Sequence, residues 1–204
     1  MGKVIFNMSV SLDGFVAGPN VSQEQSMGEG GMRLFAWYNS GDTEVPLPGT
    51  DMVFKVSRAS AALFDEIWPT LGAGITGRQN FNMANAWGGH PPGGVPLFVL
   101  THNVPQEWAG EGSLFTFVTD GIERAVELAK EAAGDKNVGV STASTMQQCL
   151  KAGLLDEIHI DQVPVLLGAG IRLFDNLGTT PIALEPIHVI EGQGVTHLGF
   201  RVIK

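Results

Sequence analysis

Short apolar, β-branched runs alternate with runs of helical periodicity, and this alternation restricts the fold more than any other feature of the chain. Residues 95–101, 114–118 and 138–140 are bounded by turn residues and read as strands. Between the last two, Ile122, Ala125 or Val126, Ala129 and Ala133 recur at steps of three and four, the spacing of a buried helical stripe. Asp120 and Glu123 have the spacing of a capping box at its start, and Gly134 stands where a helix would stop. Residues 4–10 and 72–76 are further strands, and a helix that opens in Ser141-Thr142-Ala143-Ser144 ends at Gly153. Strands that alternate with helices in this way build a mainly parallel sheet covered on both faces, an α/β fold.

The remaining segments fit around that frame. The Ser11-Leu12-Asp13-Gly14 turn leads to a short extended piece at 15–17. A loop insertion rich in Gly, Pro, Ser and Asn follows at about 18–50, and its apolar patch at 34–38 predicts a covering loop with a turn of helix. Residues 52–68 read as a helix, with Asp51 as its cap and Val56, Ser60, Leu63 and Ile67 on one face. A long strand at 156–167 contains Pro164, which suggests a bulge or an edge position. Residues 182–190 and 195–203 form an antiparallel C-terminal hairpin around 191–194. No repeat or shift in composition divides the chain, so residues 1–204 are read as one domain.

Composition removes several function classes. The formal net charge is -9, and no Lys/Arg cluster offsets it, which argues against nucleic acid as a partner. No stretch approaches the length of a membrane span, and the first residues lack the apolar core of a signal peptide, so a cytoplasmic protein is expected. Cys149 is the lone cysteine and reads as a small buried hydrophobe. His90, His102, His159, His188 and His197 form no metal-ligand pair, so no metal site is expected. A G-x-S-x-G elbow and a G-x-G-x-x-G fingerprint are both missing; Gly168-Ala169-Gly170 and Gly28-Glu29-Gly30-Gly31 read as turns.

In open α/β sheets, ligands gather at the carboxyl ends of strands, and three junctions are of that kind. At Thr76-Gly77-Arg78-Gln79-Asn80, a strand gives way to glycine and then to a basic residue at a helix start. This suits a phosphate, or is a plain turn with a surface arginine. Thr101-His102-Asn103 either meets a ribose phosphate or only turns the chain. In Ser141-Thr142-Ala143-Ser144-Thr145 every residue is small and four carry hydroxyls, which fits close approach by a ligand and equally fits simple capping.

These segments, in this order, resemble the dihydrofolate reductase-like superfamily. The branch most similar holds the reductase domain of bifunctional riboflavin-biosynthesis deaminase-reductases. The matching stretches are SLDGFVAG at 11–18, ITGRQNF at 75–81 and STMQQCLKAGLLDEIHIDQVPVLLGAGIRLF at 144–174. The resemblance implies a three-layer sandwich around a mostly parallel central sheet of about eight strands, with NADPH across the strand ends. It implies backbone contacts from Ser9, Val16 and Ala17 to the nicotinamide. It implies that Gly77, Arg78, Gln79 and Asn80 hold phosphate and that Thr101 and His102 lie by the adenosine ribose. Ser141, Thr142, Ala143, Ser144 and Thr145 would face the pyrophosphate and nicotinamide.

Two departures bear on function. The family has Gly-Gly where this chain has Ser141-Thr142, and the riboflavin-pathway enzymes carry glutamate where Val140 stands, which argues against the riboflavin step itself. Folate enzymes place an acid on the helix before the Gly-Arg motif. Here that helix has only Asp65 and Glu66, near its far end, which argues against folate reduction. Asp161 is then the preferred acid, with a solvated or salt-bridged strand residue as the alternative. Trp37 and Phe81 either stack on a flat substrate ring or pack in the core. The expected activity is NADPH-dependent reduction of a small flat heterocycle such as a pteridine or pyrimidine. The alternative is a nucleotide- or flavin-binding protein of the same fold without catalysis. A homodimer is expected from the free sheet edge that the hairpin offers.

Overall fold

The computed structural model describes residues 2–110 and 112–204. In chain order the strands and helices are β1 (Val4–Ser11), β2 (Phe15–Ala17), β3 (Thr43–Pro46), β4 (Val53–Val56), α1 (Arg58–Ile67), β5 (Leu71–Gly77), α2 (Arg78–Met83), β6 (Leu97–Leu100), β7 (Phe115–Val118), α3 (Ile122–Ala133), β8 (Asn137–Val140), α4 (Ala143–Lys151), β9 (Glu157–Val163), β10 (Ile171–Arg172), β11 (Leu184–Gly192) and β12 (Val195–Val202). Eight of the strands form one sheet in the order β11-β12-β9-β1-β8-β5-β6-β7. From β9 to β7 every neighbour pair is parallel, and β12 is antiparallel to both β9 and β11. The expected three-layer α/β fold with an antiparallel C-terminal hairpin is the observed one.

Register and the two-residue alternation of strands sort the side chains onto two faces. On one face Val4 and Phe6 of β1, Val138 and Val140 of β8, Ile75 of β5, Phe98 of β6 and Ile158 of β9 pack against α3 and α4 in one core. The stripe of α3 is Ile122, Ala125, Val126, Ala129 and Ala133, all buried, and its small residues bring the helix close to the strands. The other face carries two separate clusters. Leu34, Trp37, Phe54, Val56 and Phe64 cover Val163 of β9 and Val195 of β12. Phe81 and Ala86 cover Leu97 and Val99 of β6. The centre of this face, over β1 and β8, lies between them.

The insertion is folded. Its Gly31–Asn39 segment is a 3-10 helix that buries Leu34 and Trp37, and β3 pairs with β4 as a hairpin. Tyr38 stacks on Phe54 with ring centroids 4.2 Å apart. Here the helix expected over 52–68 is shorter. Phe54 and Val56 are buried while Val53 and Lys55 are exposed, a period of two that makes a strand. The helix starts at Arg58, and its cap is Ser57, whose Oγ accepts the Ser60 N–H at 3.2 Å, rather than Asp51. The expected capping box is also absent. Gly121, at φ 98°, is the N-cap of α3 with no side-chain bond, and Asp120 accepts instead from Thr119. Pro164 falls one residue beyond β9, a strand with neighbours on both sides, so it ends pairing rather than marking an edge.

Beyond Pro164 the chain returns to the tip of β1. Asp13 accepts from the Ser11 hydroxyl at 2.6 Å and from the Leu167 and Gly168 amides at 3.1 and 2.7 Å. These bonds, the one from Ser11 first, lower its pKa to about 2. β10 then pairs with β2, Ile171 opposite Ala17. Gly170 has φ 139°, and a Cβ there would collide with the Ala17 carbonyl oxygen. The substitution Gly170→Ala should therefore part β10 from β2 and cost about 2–3 kcal/mol, read as a lower urea midpoint.

Candidate functional site

The carboxyl ends of β5, β6 and β8 meet on one side of the sheet. β5 ends at Gly77, which caps α2 without any side-chain bond. Its missing side chain matters here: a Cβ on Gly77 would lie 3.4 Å from Thr142 Oγ1, 3.5 Å from Thr145 Oγ1 and 3.9 Å from Ser144 Oγ. Arg78 donates from Nε to Asn82 at 2.7 Å and from Nη1 to the Asn103 carbonyl at 2.6 Å, with Thr101 Oγ1 at 3.4 Å. One guanidinium thus ties the start of α2 to the tip of β6. Gln79 and His102 are exposed beside it, while the Asn80 amide turns inward to Thr76 Oγ1 at 3.0 Å.

The β8 tip is strained. Thr142 is the N-cap of α4 at φ 75°, ψ 140°, a conformation that a β-branched residue rarely adopts. Its hydroxyl meets Thr145 Oγ1 at 2.8 Å, and Met146 donates its N–H to the Thr142 carbonyl at 3.1 Å. Ser141 is held to the Ile75 carbonyl through its N–H at 2.9 Å. No side chain caps α4 or α2, so the amides of both first turns lack side-chain acceptors. Ala143 and Thr145 are buried, and Ser144 is exposed.

Ser9, Val16 and Ala17 are all buried. Ser9 Oγ accepts from Trp37 Nε1 at 3.1 Å. Trp37 and Phe81, expected to stack on substrate or pack in the core, are 1% and 2% exposed, so core packing holds. Trp37 lies in the cluster over β9 and β12, and Phe81 meets Phe115 and Phe117 edge-on at 5.1 and 5.3 Å. Phe81 also borders a surface cleft that it shares with Gln79, Asn82 and Trp108.

Asp161 is not solvated: it is 2% exposed and paired with His197 in a buried polar chain, so the paired alternative holds beside the acid role. Its Oδ1 lies 2.6 Å from His197 Nδ1, and His197 Nε2 lies 2.8 Å from Ser60 Oγ. Its Oδ2 accepts from Asn7 Nδ2 at 3.2 Å. Burial and the Asp161 charge both raise the Tyr38 phenol, whose ring borders the chain. Cross-strand register makes this chain: His197 of β12 stands opposite Asp161 of β9, with Asn7 and Ser9 on the adjoining β1. His197, Ser60 and Asn7 were not singled out in the sequence, because their pairing depends on register between segments far apart in the chain. Asn7 had one local signal, a polar amide in the middle of an apolar strand.

Cys149 is fully buried, and burial pushes its thiol up to about 12, so it is inert at neutral pH. Among the described residues, no group of three or more His, Cys, Asp or Glu is placed to hold a metal ion, and no helix is long and apolar enough to cross a membrane.

Two stability measurements follow. Asp161→Ala or His197→Ala strips a buried partner from its charge or ring and should cost about 3–5 kcal/mol, whereas Ser60→Ala should cost about 1; urea unfolding ranks the three. Thr142→Gly relieves a strained φ worth about 1–3 kcal/mol while losing one hydroxyl bond and adding chain entropy, so it should be nearly neutral. Thr142→Ala keeps the strain and should be the less stable of the two by the same assay.

The RibD C-terminal domain profile matches residues 2–198. A putative riboflavin biosynthesis protein from Shewanella sp. PV-4 superposes with TM-score 0.66 at 23% identity, covering 100% of both chains. A pyrimidine reductase-like protein from Corynebacterium diphtheriae superposes with TM-score 0.61 at 13% identity, covering 100% of this chain and 92% of its own. A diaminohydroxyphosphoribosylaminopyrimidine deaminase/5-amino-6-(5-phosphoribosylamino)uracil reductase from Thermotoga maritima gives TM-score 0.61 at 10% identity; 99% of this chain aligns with 57% of that one. No curated protein matches the sequence.

Proposed function

This chain belongs to the RibD C-terminal domain family, and from that premise we propose that it is an NADPH-dependent reductase of a small flat heterocycle, a pteridine, pyrimidine or similar ring. One observation carries the reading: the tips of β5, β6 and β8 converge, with Gly77 open to the Thr142, Ser144 and Thr145 hydroxyls and Arg78 reaching the β6 tip. The fit to a dinucleotide is chemical. Two helix starts without side-chain caps supply amide donors, and Arg78 supplies a fixed charge.

In this reading Gly77, Arg78, Gln79 and Asn80 hold phosphate with Ser141, Thr142, Ala143, Ser144 and Thr145. Thr101 and His102 flank the ribose, and the backbone of Ser9, Val16 and Ala17 borders the nicotinamide. The bound cofactor supplies a hydride. The chain's own residues position the ring and manage the proton. Asp161 is the proposed acid. One of its oxygens shares a hydrogen bond with His197 and the other faces Asn7. Val140 in place of glutamate sets the substrate apart from that of the riboflavin step, and the lack of an acid early in α1 sets it apart from folate. The setting proposed is the cytoplasm.

Thr142 favours a second reading, a nucleotide- or flavin-binding protein without catalysis, because its side chain reaches into the space that Gly77 leaves open. A homodimer is also proposed. Val189, 68% exposed, lies on the sheet face that α3 and α4 leave uncovered beyond β9, and Ile187 is exposed in the neighbouring bulge of β11. Fluorescence titration with NADPH tests the main reading: binding in the micromolar range is expected. Arg78→Ala should weaken it about tenfold to a hundredfold, roughly the worth of a charge-assisted bond. No binding at millimolar NADPH would overturn the reading, and flavin absorbance in the purified protein would favour the second.

A further inference from the structure

Asn7 is exposed in the middle of a strand that is otherwise buried or nearly so, with neighbours on both sides. Its place explains this. β1 pairs with β8 as far as Phe6 opposite Val140, so Asn7 lies level with Ser141 at the β8 tip. On its face of the sheet, one apolar cluster sits over β9 and β12 and the other over β6, and neither covers it. One pair earlier on that face, Gly139 of β8, opposite Ile5, brings no side chain. A polar amide therefore stands on the floor of the gap between the two clusters, beside the proposed cofactor rim.

Its orientation is fixed from below. A carboxylate oxygen accepts and cannot donate, so the group facing Asp161 Oδ2 at 3.2 Å is the Asn7 NH2. Asp161 is fixed in turn, because its Oδ1 is bound to His197 Nδ1 and His197 Nε2 to Ser60. A proton on the Oδ1–Nδ1 line leaves Oδ2 an acceptor whichever partner carries it. The chain Ser60–His197–Asp161 therefore holds the amide in one flip state. Its carbonyl oxygen and its second N–H remain for the gap, one acceptor and one donor.

We infer that Asn7 is a specificity-determining residue that reads a ring amide, an N–H next to a C=O on the edge of a flat heterocycle, and that Asp161 and His197 position it. A ring lactam returns one hydrogen bond to each half of the amide. A ring alkylated at those nitrogens covers the Asn7 carbonyl and leaves it unpaired, a desolvation cost that discriminates against that ring. The inference deepens the reductase reading and rests on it for the location of substrate.

The test uses 6-aminouracil and 6-amino-1,3-dimethyluracil as probes, titrated by calorimetry into the full-length protein with and without NADPH. The unmodified protein should prefer the N–H ring at least about tenfold, about 1.4 kcal/mol. Asn7→Leu and Asn7→Ser should bring the two rings to within about threefold of each other, with NADPH affinity unchanged. In 15N spectra one proton of the Asn7 side-chain amide should shift on adding 6-aminouracil while its carboxylate-bonded partner stays in place, a signature that a merely structural asparagine would not give. Equal affinity for the two rings, failure of both to bind, or a preference that survives both substitutions would overturn the assignment. The NADPH arm separates the failures. Cofactor binding without ring preference leaves the reductase reading standing, and ring preference without cofactor binding leaves only Asn7's role standing.

Discussion

A carboxylate and an imidazole meet at 2.6 Å with almost no contact with water, and much of the molecule is arranged to make that tolerable. Burying such groups costs several kcal/mol unless every lone pair and proton is used. Here Asp161 finds His197 across the strand pair and Asn7 on β1, and His197 finds Ser60 on α1. The insertion closes the site. Trp37 places its ring edge-on to His197, with centroids 5.2 Å apart, and bonds Ser9. One polar chain therefore fixes three strands, a helix and the insertion relative to one another, which an apolar core of equal volume would do with less orientational demand.

Much of the fold was legible because it follows from local rules. The α3 stripe, the β-branched runs at β6 and β8 and the final hairpin each carry their own period, and the motifs at 11–18, 75–81 and 144–174 order them. The errors have physical causes. In residues 52–68 two periods overlap: Val56, Ser60, Leu63 and Ile67 keep helical spacing although Phe54 and Val56 belong to a strand. At α3 a glycine at φ 98° took the N-cap that Asp120 had the chemistry to fill. Aromatic side chains such as Trp37 and Phe81 carry no local signal of whether they face a ligand or the core, and packing decided both.

The site was legible in part. Its rim, Gly77, Arg78, Thr101 and Ser141 to Thr145, follows from strand-to-helix junctions that any reader of the chain can find. Its floor does not, because Asn7, Asp161 and His197 meet through register among β1, β9 and β12, and register is a property of the assembled sheet. Asp161 emerged through alternation alone; its partners required the neighbouring strands. Thr142 shows the converse. Its departure from glycine is visible in the sequence, yet the strain at φ 75° and the approach to Gly77 are visible only in the structure.

The central position of β1 has a kinetic side. Its neighbours are β8 and β9, so β1 is flanked by strands that begin only at residues 137 and 157. At ribosomal speeds of roughly 5–20 residues per second, Val4, Ile5 and Phe6 wait on the order of ten seconds for partners. During that interval they form an apolar ribbon with both edges bare, and closure demands contacts of long sequence separation, which slow folding. A chain built in this way depends on β1 being shielded until β8 and β9 have emerged.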